Sequence, residues 1–310
     1  MKILVITGGT SSERRISFLS ARAVKKGLEE VGYKVQLFDF KKKNQLKNVI
    51  KKFDVIFPVL HGEEGEGGDL QKYLAELGKP YVGGSWKGFK KGWHKIPFKE
   101  FCKENNITTA PWKEVKNQAD LIKFGFPSVL KSSNGGSSRE VIILKSANDI
   151  KNSLCQNLLK SGLLLFVEKY LPGVEVTVGI LGNQALPILE IIPPKGGWFD
   201  YKNKYNGQTQ EIPHAPSVSP ELKRLVQKIA LEIHQKLDLG PYSRIDFIIS
   251  TLRLHPKGVK LTPYVLEVNT IPGFTSQSLF PKAAQAAGIS FPKLLDKMIK
   301  MAKNSSCLCS

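Results

Sequence analysis

The stretch "YVLEVNTIPGFTSQSL", residues 264–279, sets Glu267 and Asn269 two apart on an apolar run that breaks at Pro272-Gly273 into a cluster of hydroxyls. In a strand, residues i and i+2 share a face. A carboxylate and an amide oxygen therefore project together from a strand that reads as buried, where polar groups need partners. Hard cations such as Mg²⁺ take oxygen ligands of this kind. Alone, the stretch reads equally well as a strand end whose Glu and Asn are solvated near a turn. "SRIDFIIS" repeats the pattern with Arg244 and Asp246. Set beside Glu267 and Asn269, Asp246 completes an oxygen set suited to Mg²⁺, and Arg244 brings a planar donor fork for an anionic substrate.

Two further stretches could hold phosphate and a nucleoside. "SVLKSSNGGSS" places Lys131 at a strand end before a Gly/Ser loop whose backbone N–H groups can cradle phosphate. No G-K-[ST] follows the glycines, so this is not a Walker loop, and a plain hairpin turn would also explain it. "FVEKYLPGVEVTV" carries Glu168, Lys169 and Glu175 around a Pro172-Gly173 break. A connector there could meet an adenine edge through Tyr170 and Leu171, with Glu175 accepting from ribose hydroxyls. The plain alternative is a surface turn with charged flanks.

The elements that must position these residues alternate. Residues 2–7 read as a strand, followed by a helix opened by a Thr10/Glu13 capping box and closed by Gly32. "KVQLFDF" and "DVIFPVL" are strands separated by a lysine-rich helical segment, and "PYVGG" is a last short strand near residue 85. Strand–helix alternation implies a parallel sheet with function at the loops after its strands. A basic helical region opens a second lobe. It continues through two β segments around the Gly/Ser turn and a helix near 147–161. "LLLFVEKYLPGVEVTVGIL" and "QALPILEIIPP" are strands leading into a third lobe. The polar stretch 193–216 reads as a long functional loop. An amphipathic helix with Leu222, Leu225, Val226, Ile229, Ile233 and Leu237 on one face follows. The expected lobes are 1–85, 86–170 and 171–310.

At 310 residues with 41% hydrophobic content the chain is long enough for two or three packed lobes. Its net charge of +19 suggests nucleic acid, a membrane surface or anionic substrates. No nucleic-acid motif accompanies the charge and no apolar run reaches membrane-spanning length, so a solvated basic surface is the preferred reading. Cys102, Cys155, Cys307 and Cys309 show no metal-finger or disulfide spacing, which fits a reduced, cytoplasmic setting. The ending "CLCS" matches a prenylation box only formally.

With these motifs in order, the chain resembles the ATP-grasp superfamily and, within it, the D-alanine–D-alanine ligase family. "GGTSSERRIS", "LHGEEGEGGDLQ", Lys131 with "GGSS", "VEKYLPGVEVTV", "FDYKNKY", "SRIDF" and "LEVNTIPGFTSQSL" carry the resemblance over nearly the whole length. It implies an α/β, ATP-grasp fold: an N-terminal Rossmann-like lobe, a small central lobe and a C-terminal lobe. The implied activity joins two D-alanines with ATP through a D-alanyl phosphate, for peptidoglycan precursors. Two Mg²⁺ ions, or Mn²⁺, would sit on Asp246, Glu267 and Asn269. Lys95, Lys131, Ser137 and Lys204 would contact ATP, with Glu168, Lys169 and Leu171 on adenine and Glu175 on ribose. Glu13, with His61 nearby, would bind the first D-alanine, and Arg244 with the Gly273 N–H would stabilise the oxyanion. Ser278, Leu279 and Lys204 would hold the second carboxylate, and Ser137 and Tyr205 would link a lid to Glu13. A cytoplasmic homodimer without nucleic-acid or membrane partners is implied as well. Four positions depart from the family pattern: Arg139 and Glu140 after the glycine loop, His94 before Lys95, and Phe199. The rivals are a related ligase for D-lactate or D-serine, an inactive nucleotide-binding homologue and a basic nucleic-acid binder.

Overall fold

The computed structural model describes residues 1–41, 45–136, 140–194, 208–250 and 261–305. Its N-terminal sheet is parallel, in the order β2 (Lys34–Phe40), β1 (Lys2–Gly8), β3 (Val55–Pro58). β1 is buried from Ile3 to Gly8, as its unbroken apolar run requires of a central parallel strand. Helix α1 (Arg14–Glu30) buries Ser17, Ser20, Ala21, Val24, Gly27 and Leu28, the spacing of one helical face. It ends where Gly32 takes φ +86°, with the Tyr33 N–H donating back to the Leu28 carbonyl at 3.1 Å.

The start of α1 differs from the expected capping box. Glu13 itself is the N-cap residue and its side chain makes no cap bond. Thr10 is drawn instead to the following loop, its N–H donating to Glu64 Oε2 at 2.6 Å and its hydroxyl to Glu64 Oε1 at 3.1 Å. The Glu64 carboxylate takes both Thr10 donors, and the local box does not form. "PYVGG" likewise contributes only an isolated bridge from Tyr81 to Ile56, since Pro80 lacks a donor and two glycines follow. The lysine-rich segment forms α2 (Leu46–Val49), and the loop after β3 holds α3 (Glu63–Glu66) and α4 (Asp69–Glu76).

Helices α5 (Trp86–Trp93) and α6 (Lys95–Glu104) pack their apolar faces, including Phe89, Phe98 and Phe101, into the core of the C-terminal sheet. Gly88 makes that docking possible. A Cβ there would lie 1.6 Å from the Leu237 carbonyl oxygen, so backbone meets backbone. Gly88→Ala is therefore expected to cost about 3 kcal/mol, the upper range for overpacking. Denaturant unfolding should show the loss as a lower midpoint at unchanged slope.

The central sheet is antiparallel, β4 (Trp112–Val115), β7 (Leu165–Lys169), β5 (Ser128–Ser132), β6 (Val141–Leu144), with α7 (Gln118–Phe124) and α8 (Ser153–Leu159) on it. The single helix expected near 147–161 is a 3₁₀ turn, Ala147–Lys151, and then α8. Asn152 separates them, its Oδ1 capping the Leu154 N–H at 2.9 Å. The C-terminal sheet runs β11 (Gln210–Pro213), β10 (Leu189–Ile192), β8 (Gly173–Leu181), β12 (Tyr242–Ser250), β13 (Thr262–Asn269), with β9 (Gln184–Ala185) on β8. β11 lies inside the stretch expected to be loop. It pairs with β10 and is anchored by Glu211, which meets Lys282 at 2.6 Å.

Helix α9 (Pro220–Lys236) buries Val226, Ala230 and Ile233, while Leu225 is exposed, one position off the expected face. α10 (Leu279–Ala286) and α11 (Phe291–Ser305) close the fold. Leu294, Leu295, Met298 and Ile299 of α11 are fully buried in one core with Ile3, Val5 and Phe57. At about 2 kcal/mol per buried side chain, the C-terminal helix is a main support of the N-terminal sheet. No helix among the described residues is long and apolar enough to cross a membrane.

Candidate active site

β12 and β13 run antiparallel with Asp246 opposite Glu267 and Arg244 opposite Asn269, and a bulge directly after Asp246. Bulges re-aim side chains at functional sites. Asp246, 5% exposed, is thoroughly partnered. Arg244 grips it as a fork, Nε to Oδ1 at 2.9 Å and Nη2 to Oδ2 at 2.8 Å. The Thr177 hydroxyl of β8 donates to Oδ1 at 2.5 Å, and Asn269 Nδ2 donates to Oδ2 at 3.0 Å. A buried carboxylate held this way is fixed in position. Two carboxylates and an amide oxygen on facing rungs form a donor set that fits a hard divalent cation.

Between the central and C-terminal sheets lies a cavity of about 460 Å³. Val129 and Ile143 wall one side and Ile248 and Leu266 the other. Lys131, Glu168, Glu175 and Glu267 are among its polar groups. The size and apolar walls suit a nucleotide. A second cavity of about 140 Å³ lies toward the N-terminal sheet, lined by Glu13, His61, Arg244, Asn269, Gly273 and Ser278. The two meet at Lys95, Gly135, Gly136 and Glu267. Lys95 Nζ donates to the Gly135 carbonyl at 2.8 Å and lies 3.7 Å from Glu267 Oε2. Gly136 presses on the same junction, because a Cβ there would stand 2.7 Å from Glu13 Oε2.

Two family models match the chain, D-ala D-ala ligase N-terminus over residues 40–84 and D-ala D-ala ligase C-terminus over residues 90–300. The chain belongs to the D-alanine–D-alanine ligase family. The D-alanine–D-alanine ligase of Clostridium beijerinckii is 36% identical over 97% of this chain and 98% of its own. That of Thermotoga maritima is 36% identical over 97% of both. Among solved structures, the Bacillus anthracis ligase complexed with ATP superposes with a TM-score of 0.83 at 30% identity, covering 100% of both chains. The fold is thus the ATP-grasp fold of these ligases.

Most of the site residues expected from the sequence gather at the two cavities. Lys95, Lys131, Glu168, Lys169, Leu171, Glu175, Asp246 and Glu267 line the larger one. Glu13, His61, Arg244, Asn269, Gly273, Ser278 and Leu279 line the smaller. Ser137, Lys204 and Tyr205 lie outside the described residues, as do Phe199, Cys307 and Cys309. Ser278 stands at the N-cap of α10, so the Leu279 N–H belongs to the helix terminus that attracts anions.

Glu168 is embedded rather than displayed. It is 2% exposed, with Oε1 2.5 Å from Lys131 Nζ and Oε2 2.5 Å from Lys99 Nζ. Burial works against its charge, but the two lysines hold its carboxyl down to about 2. Burial likewise opposes the charge of Lys131, yet Glu168 leaves that amine raised. Lys99 was not singled out in the sequence. Its signal was a lysine set among Phe98, Phe101 and Cys102 on the buried side of α6.

Glu66 is a second residue the motifs did not separate from the neighbouring glutamates. It is 5% exposed and accepts the Gly62 N–H at 2.9 Å. Burial, with Glu13 nearby, pushes its carboxyl well above the ordinary carboxylate range. His61, beside the same cavity, is pushed down by burial, partly opposed by Glu13.

His94, expected from the sequence to depart from the family pattern, ties three elements. Its Nε2 lies 3.4 Å from Glu63 Oε1, and its Nδ1 lies 3.0 Å from Asn134 Oδ1 in the glycine loop. The hydrogen bond to Glu63 outweighs burial and raises the imidazole above its ordinary 6.5, while the same bond lowers Glu63. A raised His stabilises fully below its unfolded value and less as pH passes its folded one. A lowered Glu does so above its unfolded value. The link is therefore strongest between the Glu63 carboxylate range and the raised His94 value. The stability difference between wild type and His94→Gln should shrink as pH rises through that value in paired melts. A difference independent of pH would show that the imidazole charge contributes nothing.

Proposed function

We propose that this chain is an ATP-dependent ligase that joins two D-alanines into D-alanyl-D-alanine for cell-wall precursors. The observation that carries the reading is the junction where the two cavities meet at Lys95, Gly135, Gly136 and Glu267. A γ-phosphate entering from the larger cavity and a carboxylate held in the smaller one would face each other there.

In the first step a carboxylate oxygen of D-alanine bonds to the γ-phosphorus and the bond to ADP breaks, giving D-alanyl phosphate. Two anions must approach, and Lys95 and Arg244 offset their repulsion. In the second step the amine of another D-alanine bonds to the acyl carbon, and phosphate leaves with the electron pair of the broken C–O bond and takes up the proton that the amine gives up. Arg244 and the Gly273 N–H face the oxyanion formed in between. Glu13 binds the ammonium of the first substrate, and Ser278 with the Leu279 N–H receives the carboxylate of the second. Adenine lies along Glu168 to Leu171 and ribose meets Glu175.

Asp246, Glu267 and Asn269 would hold Mg²⁺, with Mn²⁺ as a substitute. Bound there, the metal neutralises phosphate charge. Lys204, Tyr205 and Ser137 are assigned to a lid that protects the acyl phosphate from water. The reading also carries a cytoplasmic homodimer, which sedimentation would measure.

The test is ATP-dependent phosphate release with D-alanine, D-serine and D-lactate, offered singly and in pairs. Release with D-alanine alone, with D-alanyl-D-alanine as product, is expected. Release only in a mixed pair would move the chain to a related ligase. No release with any pair would leave a nucleotide-binding homologue.

A further inference from the structure

We infer that Lys99 is the fixed counter-ion of Glu168, present so that Lys131 can leave that carboxylate for the phosphates of an incoming nucleotide. The inference rests on reading the larger cavity as the nucleotide site.

Two lysine amines meet one carboxylate; burial pushes the Lys99 amine down, and Glu168 opposes that shift. The two lysines are not equivalent. Lys131 lines the cavity and its side chain is 14% exposed. Lys99 does not line it, and its side chain is 1% exposed. Lys99 is also held from a second side, by the Thr109 hydroxyl at 2.5 Å. That hydroxyl spends its own hydrogen on the Val265 carbonyl at 2.9 Å, so toward Lys99 it can only accept. The ammonium is thus fixed between α6, β7 and β13, while the other lysine can turn toward the cavity.

A single lysine would face a conflict. If Lys131 moved to phosphate, Glu168 would be left as an unpaired buried carboxylate, which is strongly destabilising. If it stayed, the phosphates would lose a cation. With Lys99 in place, Glu168 remains paired and charged after the exchange, and stays an acceptor facing the nucleoside. Lys99 is therefore a positioning residue: it acts on the nucleotide through Glu168 and Lys131.

Calorimetric titration of ATP and of adenosine into the full-length protein tests this. Lys99→Met should weaken ATP binding about 10²-fold, the lower range for breaking a buried pair. Adenosine has no phosphates to draw Lys131 away, so its affinity should be nearly unchanged. Adding Glu168→Gln removes the buried charge but keeps an acceptor oxygen, so the double variant should recover most of the lost ATP affinity. An equal loss for both ligands, an unaffected ATP affinity, or no recovery in the double variant overturns the counter-ion role. If Lys99→Met does not fold, Glu168→Gln in the same chain should restore folding. A double variant that stays unfolded makes Lys99 a packing residue and also overturns the inference. Wild-type protein that binds no ATP would instead overturn the reading of the cavity.

Discussion

Glu267→Gln is expected to abolish turnover, with kcat falling by about three decades or more and the fold intact. Glu267 stands opposite Asp246 and 3.7 Å from Lys95, and it lines both cavities. The amide keeps the shape of the side chain but not its charge. It therefore weakens the oxygen set for a divalent cation and the electrostatic hold on Lys95 together. A metal-bound phosphate site is worth several kcal/mol to the transition state, and each 1.36 kcal/mol is a factor of ten. Asp246→Asn should act differently. Asp246 is gripped by Arg244, Thr177 and Asn269, so its loss should raise the Mg²⁺ concentration needed for half-maximal activity. Steady-state rates across a Mg²⁺ titration, with melting curves as a control for folding, separate the two. Wild-type rates for Glu267→Gln at low Mg²⁺ would remove the residue from the site.

What was legible in the sequence followed from short-range geometry. The period of two in a strand places Arg244 with Asp246 and Glu267 with Asn269 on shared faces, and antiparallel pairing brings the two pairs together. Glu13, His61 and Ser278 came from family motifs, and the structure brings them to one cavity from three elements far apart in the chain. What stayed hidden depended on distant partners. Thr10 has a plausible local acceptor in Glu13, but Glu64, 54 residues away, takes its donors. Lys99 looks like a lysine on a basic helix until Glu168, 69 residues on, is folded against it. Leu225 and Val226 both fit a helical apolar stripe, and only packing decides which is buried. Glu66 follows two other glutamates, and only packing decides that it is buried while Glu63 and Glu64 are not. For Thr10 and Lys99 a partner far along the chain decided the outcome, and for Leu225 and Glu66 the packing of the fold did.

Arg244→Lys is expected to lower kcat by about 10²- to 10³-fold with little change in the KM for ATP. Its guanidinium makes two parallel bonds to Asp246 and also lines the smaller cavity, away from the nucleotide. The fork is thus committed to Asp246 while the group also lines the cavity proposed to hold the acyl centre. Lysine keeps the positive charge but offers a compact ammonium on a flexible stem. It cannot hold both carboxylate oxygens and also present a fixed donor to a second anion. Losing one preorganised oxyanion donor typically costs about 10²- to 10³-fold in kcat. Ground-state nucleotide binding depends on other groups, so the effects should separate cleanly. Asp246 keeps a cationic partner in this variant, so the buried carboxylate is not stranded and the protein should still fold. Initial rates at saturating ATP and D-alanine give kcat, and titration of each substrate gives its KM. A defect confined to ATP affinity would move Arg244 from the acyl centre to the nucleotide site.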